Sequence, residues 1–365
     1  MQFDPTKPFT PRVVTKEDLA TAQVSLTKDL LEARVAIAEL KGLISGVPAS
    51  NQALFNPIYL KEALASSQIE NINTTLIEVM QRQLTPSKKR DENTSVLNYY
   101  TAIQWGIKKL SEFGISSRLI TGLHRHLLPE AEQSYRRLQN YIVDGRNSVR
   151  YTPPEAQNIP ELISRWEKLA NNEEVKKVID PLIIAAVTHY LFEAIHPFND
   201  GNGRTGRMLL TLFLVDSGLT DTPIIHISQY INTHRSDYYD LLLNTTKNGD
   251  YLPIAKFIVC GFTAQARHAL KLLKKIQEMQ IAWHETIKAD LPKVYRQDLV
   301  NKLFESPVVT PVALGNDLGI HYITASKYLQ ELKTKGYLNY AKVGRNAYYI
   351  NHKLLDKISE EGRMG

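Results

Sequence analysis

The sequence predicts a mainly α-helical protein with one β-hairpin and a C-terminal winged helix-turn-helix module. Three observations indicate this fold class. Apolar residues recur at three- and four-residue spacing over most of the chain, which is the pattern of helices with one buried face. Residues 139–151 are instead rich in β-prone types on both sides of an Asp-Gly turn signal. From about Leu299 the order becomes helix, helix, turn, helix and hairpin, which is typical of a winged helix.

The first part of the chain is predicted to be an extended arm followed by helices. Residues 1–15 form the arm, because three prolines within it block a helix. A break rich in Gly, Pro, Ser and Asn at residues 45–51 and a charged loop at residues 84–93 interrupt the helical pattern that follows. Helices are predicted over residues 16–43, 56–69, 95–113 and 117–128.

The second part begins with the hairpin, which two consecutive prolines at 153 and 154 bring to an end. The stretch 181–195 is almost wholly apolar, so its helix is expected to be buried. Residues 310–318 and 322–335 form the predicted helix-turn-helix, and two β-prone runs around Gly344 form the predicted wing. Further helices are predicted over residues 159–170, 203–216 and 254–290.

The composition is that of an ordinary globular protein and sets broad bounds on function. Cys260 is the single cysteine, which excludes an internal disulfide and a zinc site built from several thiolates. A reducing, cytoplasmic location is therefore expected. The N-terminus lacks the basic-then-apolar order of a signal peptide, and the apolar runs are too short to span a bilayer, so no membrane partner is expected. The net charge of +6 suits ligands that carry phosphate.

Residues His196–Arg207, HPFNDGNGRTGR, form the most informative motif of the chain. The buried helix is predicted to end before this motif, and another helix to begin within it. Unpaired amides at a helix N-terminus, together with the helix dipole, favour an anion there. Gly201 and Gly203 let the backbone approach a phosphate closely. Arg204 and Arg207 are three residues apart, so they place two guanidinium groups on one face.

Three further side chains complete the predicted site. Asp200 is expected to hold Mg²⁺ that bridges phosphate oxygens, and Asn202 can donate to a phosphate oxygen through its amide. His196 lies just before this cradle, where its imidazole can accept a proton from an incoming hydroxyl. The motif therefore predicts a site for a nucleotide polyphosphate with a base beside it. The alternative for any one of these residues is a helix-capping turn in which local carboxylates satisfy the His and Arg side chains.

The same motif resembles the signature of the Fic family, His-x-Phe-x-Asp/Glu-Gly-Asn-Gly-Arg-x-x-Arg, at every fixed position. Residues 135–142 followed by 151–154 look like the hairpin flap of that family. The resemblance implies a Fic-type helical bundle with a flap and a C-terminal winged helix-turn-helix domain. It divides the chain into an N-terminal helical region with an inhibitory motif (1–110), a Fic catalytic core (111–265), a helical linker (266–297) and the winged helix-turn-helix domain (298–365).

The resemblance also implies an activity, the transfer of AMP from ATP to a Ser, Thr or Tyr hydroxyl of a target protein, with self-modification included. His196 would be the general base, Asp200 the Mg²⁺ ligand and Arg207 the partner of the γ-phosphate. The flap at residues 139–152 would pair edge-on with the target protein. Tyr238 and Tyr239 would lie near the adenine, although packing on a helix accounts for them equally well. The other residues that the resemblance assigns to ATP are Asn199, Gly201, Asn202, Gly203, Arg204, Arg150 and Tyr151.

A second motif resembles the inhibitory helix of many Fic proteins, Ser/Thr-x-x-x-Glu-Gly/Asn. Ser66, Glu70 and Asn71 fit it, at the end of a predicted helix. A carboxylate in the cradle would pair with Arg207 and take the place of the γ-phosphate. The alternative is an exposed residue that caps a helix.

Several alternatives remain open from the sequence. The enzyme could remove AMP from protein or transfer another nucleotide, and a transcription regulator that senses nucleotide belongs to a different class of protein. The winged helix could bind DNA or dock a protein, since residues 300–365 contain 9 Lys/Arg and 6 Asp/Glu, a modest basic excess for a DNA-binding module. A homodimer is equally open.

Overall fold

The computed structural model describes residues 3–47, 53–86 and 91–360. Residues 48–51 of the predicted break and residues 87–90 of the predicted charged loop lie outside this part of the chain. The chain packs into two compact units, Met1–Lys41 with Asn98–Arg267 (unit 1) and Gly42–Leu97 with His268–Gly365 (unit 2). The four-part division of the sequence stays a prediction.

Helices make up most of the described residues, so the predicted mainly α-helical fold is confirmed. The elements are, in chain order, α1 (Lys16–Ser25), α2 (Thr27–Ser45), α3 (Asn56–Ile69), α4 (Leu76–Leu84), α5 (Glu92–Phe113), α6 (Ser117–Leu127), β1 (Ile142–Val143), β2 (Val149–Tyr151), α7 (Ile159–Ala170), α8 (Glu173–Lys176), α9 (Pro181–Ile195), α10 (Asn202–Asp216), α11 (Ser228–Thr233), α12 (Arg235–Asn248), α13 (Leu252–Asp290), α14 (Gln297–Glu305), β3 (Val308–Val309), α15 (Pro311–Leu318), α16 (Tyr322–Thr334), β4 (Asn339–Val343), β5 (Asn346–Ile350) and α17 (His352–Glu360).

The predicted N-terminal arm, described from Phe3 on, contains no helix, and it contacts the rest of unit 1 at two places. The Phe9 N–H donates to the Thr152 carbonyl at 3.0 Å, just past β2. Arg12 forms a bidentate salt bridge with Asp18 at 2.7 and 2.8 Å and also donates to the Gly249 carbonyl. The arm therefore lies against the end of the hairpin.

Helix α9 forms the centre of unit 1, as its apolar sequence predicts. The Asp180 carboxylate accepts a hydrogen bond from the Leu182 N–H and caps the helix, and a proline occupies its first turn. Nearly every side chain that follows is buried. Helix α10 packs closely against α9 at Gly206, where a Cβ would collide with Glu193 and Phe192 of α9. This close packing holds the two helices on either side of the candidate loop.

The predicted hairpin is present but shorter than its sequence pattern. Strands β1 and β2 are antiparallel, with an irregularity in register after Ile142. The Asp144 carboxylate accepts hydrogen bonds from the N–H groups of Arg146 and Ser148. Asn147 adopts the left-handed conformation in the turn, with φ of 58°. The hairpin is the flap of the following sections.

In unit 2 the C-terminal residues have the element order that the sequence predicts for a winged helix-turn-helix. Strands β3, β5 and β4 form a three-stranded antiparallel sheet in that order, beside helices α14, α15 and α16. Trp283, near the end of α13, packs edge-on against Phe304 and Tyr337. Strand β3 and helix α17 were not predicted. Helix α4 was also missed, although Thr75 and Glu78 form a capping box at its start.

Among the described residues, no helix is both long enough and apolar enough to cross a membrane.

Candidate functional site

The candidate loop joins the end of α9 to the start of α10. His196 caps the C-terminus of α9 in the left-handed conformation, with φ of 49° and ψ of 61°, and its N–H donates to the Phe192 carbonyl at 3.0 Å. Residues other than glycine rarely adopt this conformation, although histidine does so more often than most. Gly201, with φ of 80°, then turns the chain into α10. Both ends of the loop are therefore fixed by backbone geometry.

The side chain of Asn202 holds the loop together from inside. Its Oδ1 accepts from the Phe198 N–H at 2.9 Å, and its Nδ2 donates to the Phe198 carbonyl at 2.8 Å. The residue is 2% exposed. The predicted donation from Asn202 to phosphate stays a prediction, and the contact in the structure is one that shapes the loop.

Asp200 and Arg204 form a salt bridge at the start of α10, and Arg207 follows Arg204 three residues later on the same helix. The Asp200 side chain is 72% exposed and accepts from the Gly201 N–H at 2.6 Å and from Arg204 Nη2 at 3.2 Å. Arg204 and Arg207 are buried. The buried Nε of Arg204 has no hydrogen-bond acceptor in the part of the chain that the structure describes. Two buried guanidinium groups at a helix N-terminus favour an anionic ligand.

His124, on α6, supports the loop and was not predicted. Its ring stacks on Phe198 with centroids 3.8 Å apart and an angle of 9° between the planes. Its Nε2 lies 3.1 Å from the Asp200 carbonyl oxygen. Burial lowers the pKa of His124. A neutral His124 ring with a proton on Nε2 therefore donates to the loop backbone while it packs against Phe198.

Arg136, just before the flap, was also missed as a site residue. It is 2% exposed, and its guanidinium donates to three carbonyl oxygens. Nε donates to His196 at 2.9 Å, Nη1 to Leu138 at 3.0 Å and Nη2 to Pro154 at 2.5 Å. Its backbone N–H donates to the Pro197 carbonyl at 2.8 Å. Burial lowers the pKa of the Arg136 guanidinium.

The two flap residues assigned to ATP differ in environment. Tyr151 is buried, and its hydroxyl donates to the Ala194 carbonyl at 2.7 Å, whereas Arg150 is exposed. Two residues before β1, Asn140 Nδ2 lies 3.4 Å from the carbonyl oxygens of Phe198 and Asn199. The structure brings the flap to the loop, as predicted, and the roles of Arg150, Tyr151 and Asn199 at ATP stay predictions.

The two tyrosines on α12, Tyr238 and Tyr239, differ in burial. Tyr238 is 1% exposed and its hydroxyl lies 2.8 Å from His189 Nε2, whereas Tyr239 is 44% exposed. Packing on a helix, the alternative that the sequence left open, describes the observed contacts of Tyr238. The proposed place of both residues near adenine stays a prediction.

His189 is a buried titratable group directly behind the loop. Its Nδ1 lies 3.3 Å from the Gly206 carbonyl oxygen. Burial, with a smaller contribution from the positive charge of Arg207, lowers its pKa to about 3. The imidazole is therefore neutral at physiological pH, with a proton on Nδ1 that donates to Gly206 and an Nε2 that accepts from the Tyr238 hydroxyl.

We expect the free energy of unfolding to fall as the pH is lowered from about 6.5 towards 3. In this window the unfolded chain binds a proton at His189 and the folded chain does not, so acid favours unfolding by up to about 1.4 kcal/mol per pH unit for each such group. Burial lowers the pKa of His226 to about 3 as well, so it adds to the same slope. Denaturant unfolding of the unaltered chain and of His189→Gln over this range measures the effect. An identical pH dependence in the two proteins would contradict the assignment to His189.

The inhibitory motif lies in unit 2, at the end of α3. Ser66 is fully buried, Glu70 is exposed at the C-cap, and Asn71 is left-handed with φ of 61°. The exposed position of Glu70 agrees with a helix cap.

No group of three or more His, Cys, Asp or Glu side chains that could hold a metal ion occurs in residues 3–47, 53–86 and 91–360. A single carboxylate, Asp200, is nevertheless sufficient for Mg²⁺ when a nucleotide supplies the other oxygen ligands.

This geometry defines a class of protein, a helical protein in which a histidine at the end of one helix and two buried arginines at the start of the next lie on either side of a short loop. Comparisons with known proteins identify the family. Residues 27–108 match the N-terminal model of the Fic/DOC family, residues 114–214 match the Fic/DOC model, and residues 279–354 match the C-terminal domain of SoFic-like protein adenylyltransferase. The chain belongs to the Fic/DOC family, as the loop motif predicts.

Curated relatives carry the name protein adenylyltransferase Fic. The Drosophila grimshawi protein is 30% identical over 251 residues, which are 65% of this chain and 49% of that protein. The Drosophila melanogaster protein is 29% identical over 232 residues, which are 62% of this chain and 44% of that protein. The chain therefore spans about half the length of the curated relatives that it matches.

Solved structures of Fic proteins share the fold. A Fic family protein from Desulfovibrio desulfuricans G20 aligns with a TM-score of 0.57 at 20% identity, over 93% of this chain and 98% of that one. Fic-1 from C. elegans aligns with a TM-score of 0.51 at 21% identity, over 70% of this chain and 76% of that one. These alignments confirm the Fic-type helical fold.

Proposed function

We propose that this protein is a protein adenylyltransferase, which moves AMP from ATP to a Ser, Thr or Tyr hydroxyl of a target protein. One observation carries the proposal. His196, at the end of α9, and the buried Arg204 and Arg207, at the start of α10, lie on either side of a loop fixed at both ends. A general base and a polyphosphate cradle held this close are what phosphoryl-type transfer requires. The name shared by the curated relatives supports the same activity.

The mechanism follows from the roles of these residues. The imidazole of His196 accepts the proton of the target hydroxyl as its oxygen forms a bond to the α-phosphorus of ATP. The bond between the α-phosphorus and the oxygen of the β-phosphate breaks in line, and pyrophosphate leaves with that electron pair. Arg204, Arg207 and the amides at the start of α10 stabilise the negative charge of the phosphates. The proton on His196 then passes to solvent.

The residues present fit Mg²⁺ as the metal of this reaction. Asp200 would hold the ion together with phosphate oxygens, because Mg²⁺ in nucleotide sites is bound by one or two carboxylates and the substrate. When bound, the ion neutralises phosphate charge. The Asp200 side chain is exposed, and its Oδ1 accepts a hydrogen bond from the Gly201 N–H. This position supports the assignment.

Regulation by the motif Ser66–Asn71 is part of the proposal. A carboxylate that reaches Arg207 would form a charge-assisted pair and exclude the γ-phosphate. The same residue could instead position water to remove AMP from protein, and removal of AMP is therefore the second direction that the assay must detect.

The proposed partner of the C-terminal module and the proposed location follow from general features of the chain. The C-terminal module exposes Tyr322 and Ile323 on α16 beside a modest positive charge, which favours docking of a protein or a second copy over DNA. A gel-shift assay at several salt concentrations tests DNA binding of the full chain.

The cytoplasm remains the proposed location, because the chain has a single cysteine.

Incubation with α-labelled ATP and Mg²⁺ tests the proposed function. A protein adenylyltransferase transfers the label to protein, and mass spectrometry locates AMP on a Ser, Thr or Tyr side chain. The matched reaction with γ-labelled ATP gives no protein label, because the γ-phosphate leaves in pyrophosphate. Label from γ-labelled ATP would indicate a kinase instead, and DNA binding without covalent label would favour a nucleotide-sensing regulator.

A further inference from the structure

Both ends of the flap are attached to the backbone at His196 and two residues before it. The attachments are made by two buried side chains, Arg136 and Tyr151, and both end on carbonyl oxygens of the chain that carries the base. A flap could be joined to a core through apolar packing alone, so this pair of polar attachments requires a physical explanation.

Arg136 joins three chain segments at a single guanidinium. The Leu138 carbonyl lies before β1, the Pro154 carbonyl lies after β2, and the third acceptor is the carbonyl of His196 itself. No carboxylate pairs with Arg136 in the described residues, so carbonyl oxygens alone compensate its burial. The guanidinium is planar with donors in fixed directions. The three carbonyls therefore have a defined position relative to one another.

Tyr151 makes the second attachment from the other side of the flap. It is the last residue of β2, and its hydroxyl donates to the Ala194 carbonyl in the last turn of α9, two residues before His196. That carbonyl is one of the last four of the helix, and these carbonyls have no N–H donor within the helix itself. Burial raises the pKa of the Tyr151 hydroxyl, and the positive charge of Arg136 partly opposes this shift, so the two attachments form one cluster.

We propose that Arg136 and Tyr151 are positioning residues that fix the distance between the flap and His196, so that a hydroxyl on a flap-bound protein segment meets the base. This inference rests on the proposed function, in which the flap holds the target. Neither side chain needs to contact ATP or the target for this role. The predicted consequence is selective, because transfer to a protein hydroxyl depends on the flap, whereas transfer to water does not.

The test compares full-length variants with the His196→Ala chain as the acceptor protein. Arg136→Lys keeps the charge but not the fixed fork, and Tyr151→Phe removes one hydroxyl and keeps the ring. Arg137→Lys is the matched control, because Arg137 is 80% exposed and pairs with Glu132 at the surface. For each enzyme, kcat and the KM for ATP are measured with α-labelled ATP for protein labelling and for release of free AMP. All variants are made in the unaltered chain and in Glu70→Gly.

We expect Arg136→Lys to lower kcat for protein labelling about 100-fold, as a displacement of roughly 1 Å in a reacting group can do, and Tyr151→Phe to lower it about tenfold. In Arg136→Lys the KM for ATP and the release of free AMP should change less than threefold, and Arg137→Lys should match the unaltered chain. Equal protein labelling by Arg136→Lys and the unaltered chain would overturn the inference. A parallel loss of both reactions together with a lower melting temperature would do the same, because it would show a merely structural role. A Glu70→Gly chain that transfers no AMP to protein would instead refute the proposed function.

Discussion

Replacing His196 with Ala is expected to lower AMP transfer to protein about 100- to 10,000-fold, the usual contribution of a general base. ATP binding should persist, because Arg204, Arg207 and the N-terminus of α10 are unchanged. Protein labelling by α-labelled ATP measures the first quantity, and calorimetric titration with ATP and Mg²⁺ measures the second. A rate that is unchanged in His196→Ala would sink the assignment of the base.

The left-handed conformation of His196, with φ of 49°, calls for a second variant beside it. Alanine is strained in this region, whereas asparagine adopts it more readily. His196→Asn therefore removes the base and keeps the turn. If both variants lose AMP transfer and both bind ATP, the loss is caused by the missing general base. If His196→Ala alone loses transfer, the residue acts through the shape of the loop.

Replacing Glu70 with Gly is expected to raise AMP transfer, self-modification included, by about 10- to 100-fold. This range corresponds to a competent state populated at roughly 1–10% in the unaltered chain. The physical reason is the proposed competition between the Glu70 carboxylate and the γ-phosphate for Arg207. The initial rate of labelling and the affinity for ATP measure the effect.

Two controls separate the charge of Glu70 from the structure of its helix end. Glu70→Gln removes the charge and keeps the length of the side chain, so it should activate to a similar extent. Glu17→Gln removes the charge of an exposed glutamate outside the motif and should leave the rate unchanged. Unchanged labelling and unchanged ATP affinity in Glu70→Gly would refute the regulatory proposal, and loss of AMP removal from labelled protein would favour the reverse direction.

Much of the fold is predictable because its signals are local. Asp180, Pro181 and the apolar run that follows define α9 at the predicted residues, and two glycines with the paired arginines mark the start of α10. Short elements were missed because two or four residues carry no periodicity, as in β3 and α8. The packing of residues 42–97 with residues 268–365 depends on contacts between distant segments, for which a single sequence has no signal.

In the candidate site, too, the residues with local sequence signals were predictable and those that act through distant contacts were not. The residues of the loop were predictable because the chemistry and the spacing occur together within one motif. The role of Arg136 was not predictable from the sequence. Its acceptors are backbone carbonyl oxygens, so no charged residue in the sequence indicates that this arginine is buried and paired. His124 and His189 were missed for a similar reason, since each acts through a backbone carbonyl. The partner of Tyr238 is on another helix, so the sequence left its packing undecided.

The order of the two helices around the loop has a consequence for the course of the reaction. Helix α9 directs its C-terminal end, which carries partial negative charge, at His196, and the N-terminal end of α10, which carries partial positive charge, borders the other end of the same loop. During the proposed transfer, positive charge develops on the imidazole and negative charge on the departing pyrophosphate. The backbone therefore presents opposite poles to the two charges as they separate, before any side chain moves.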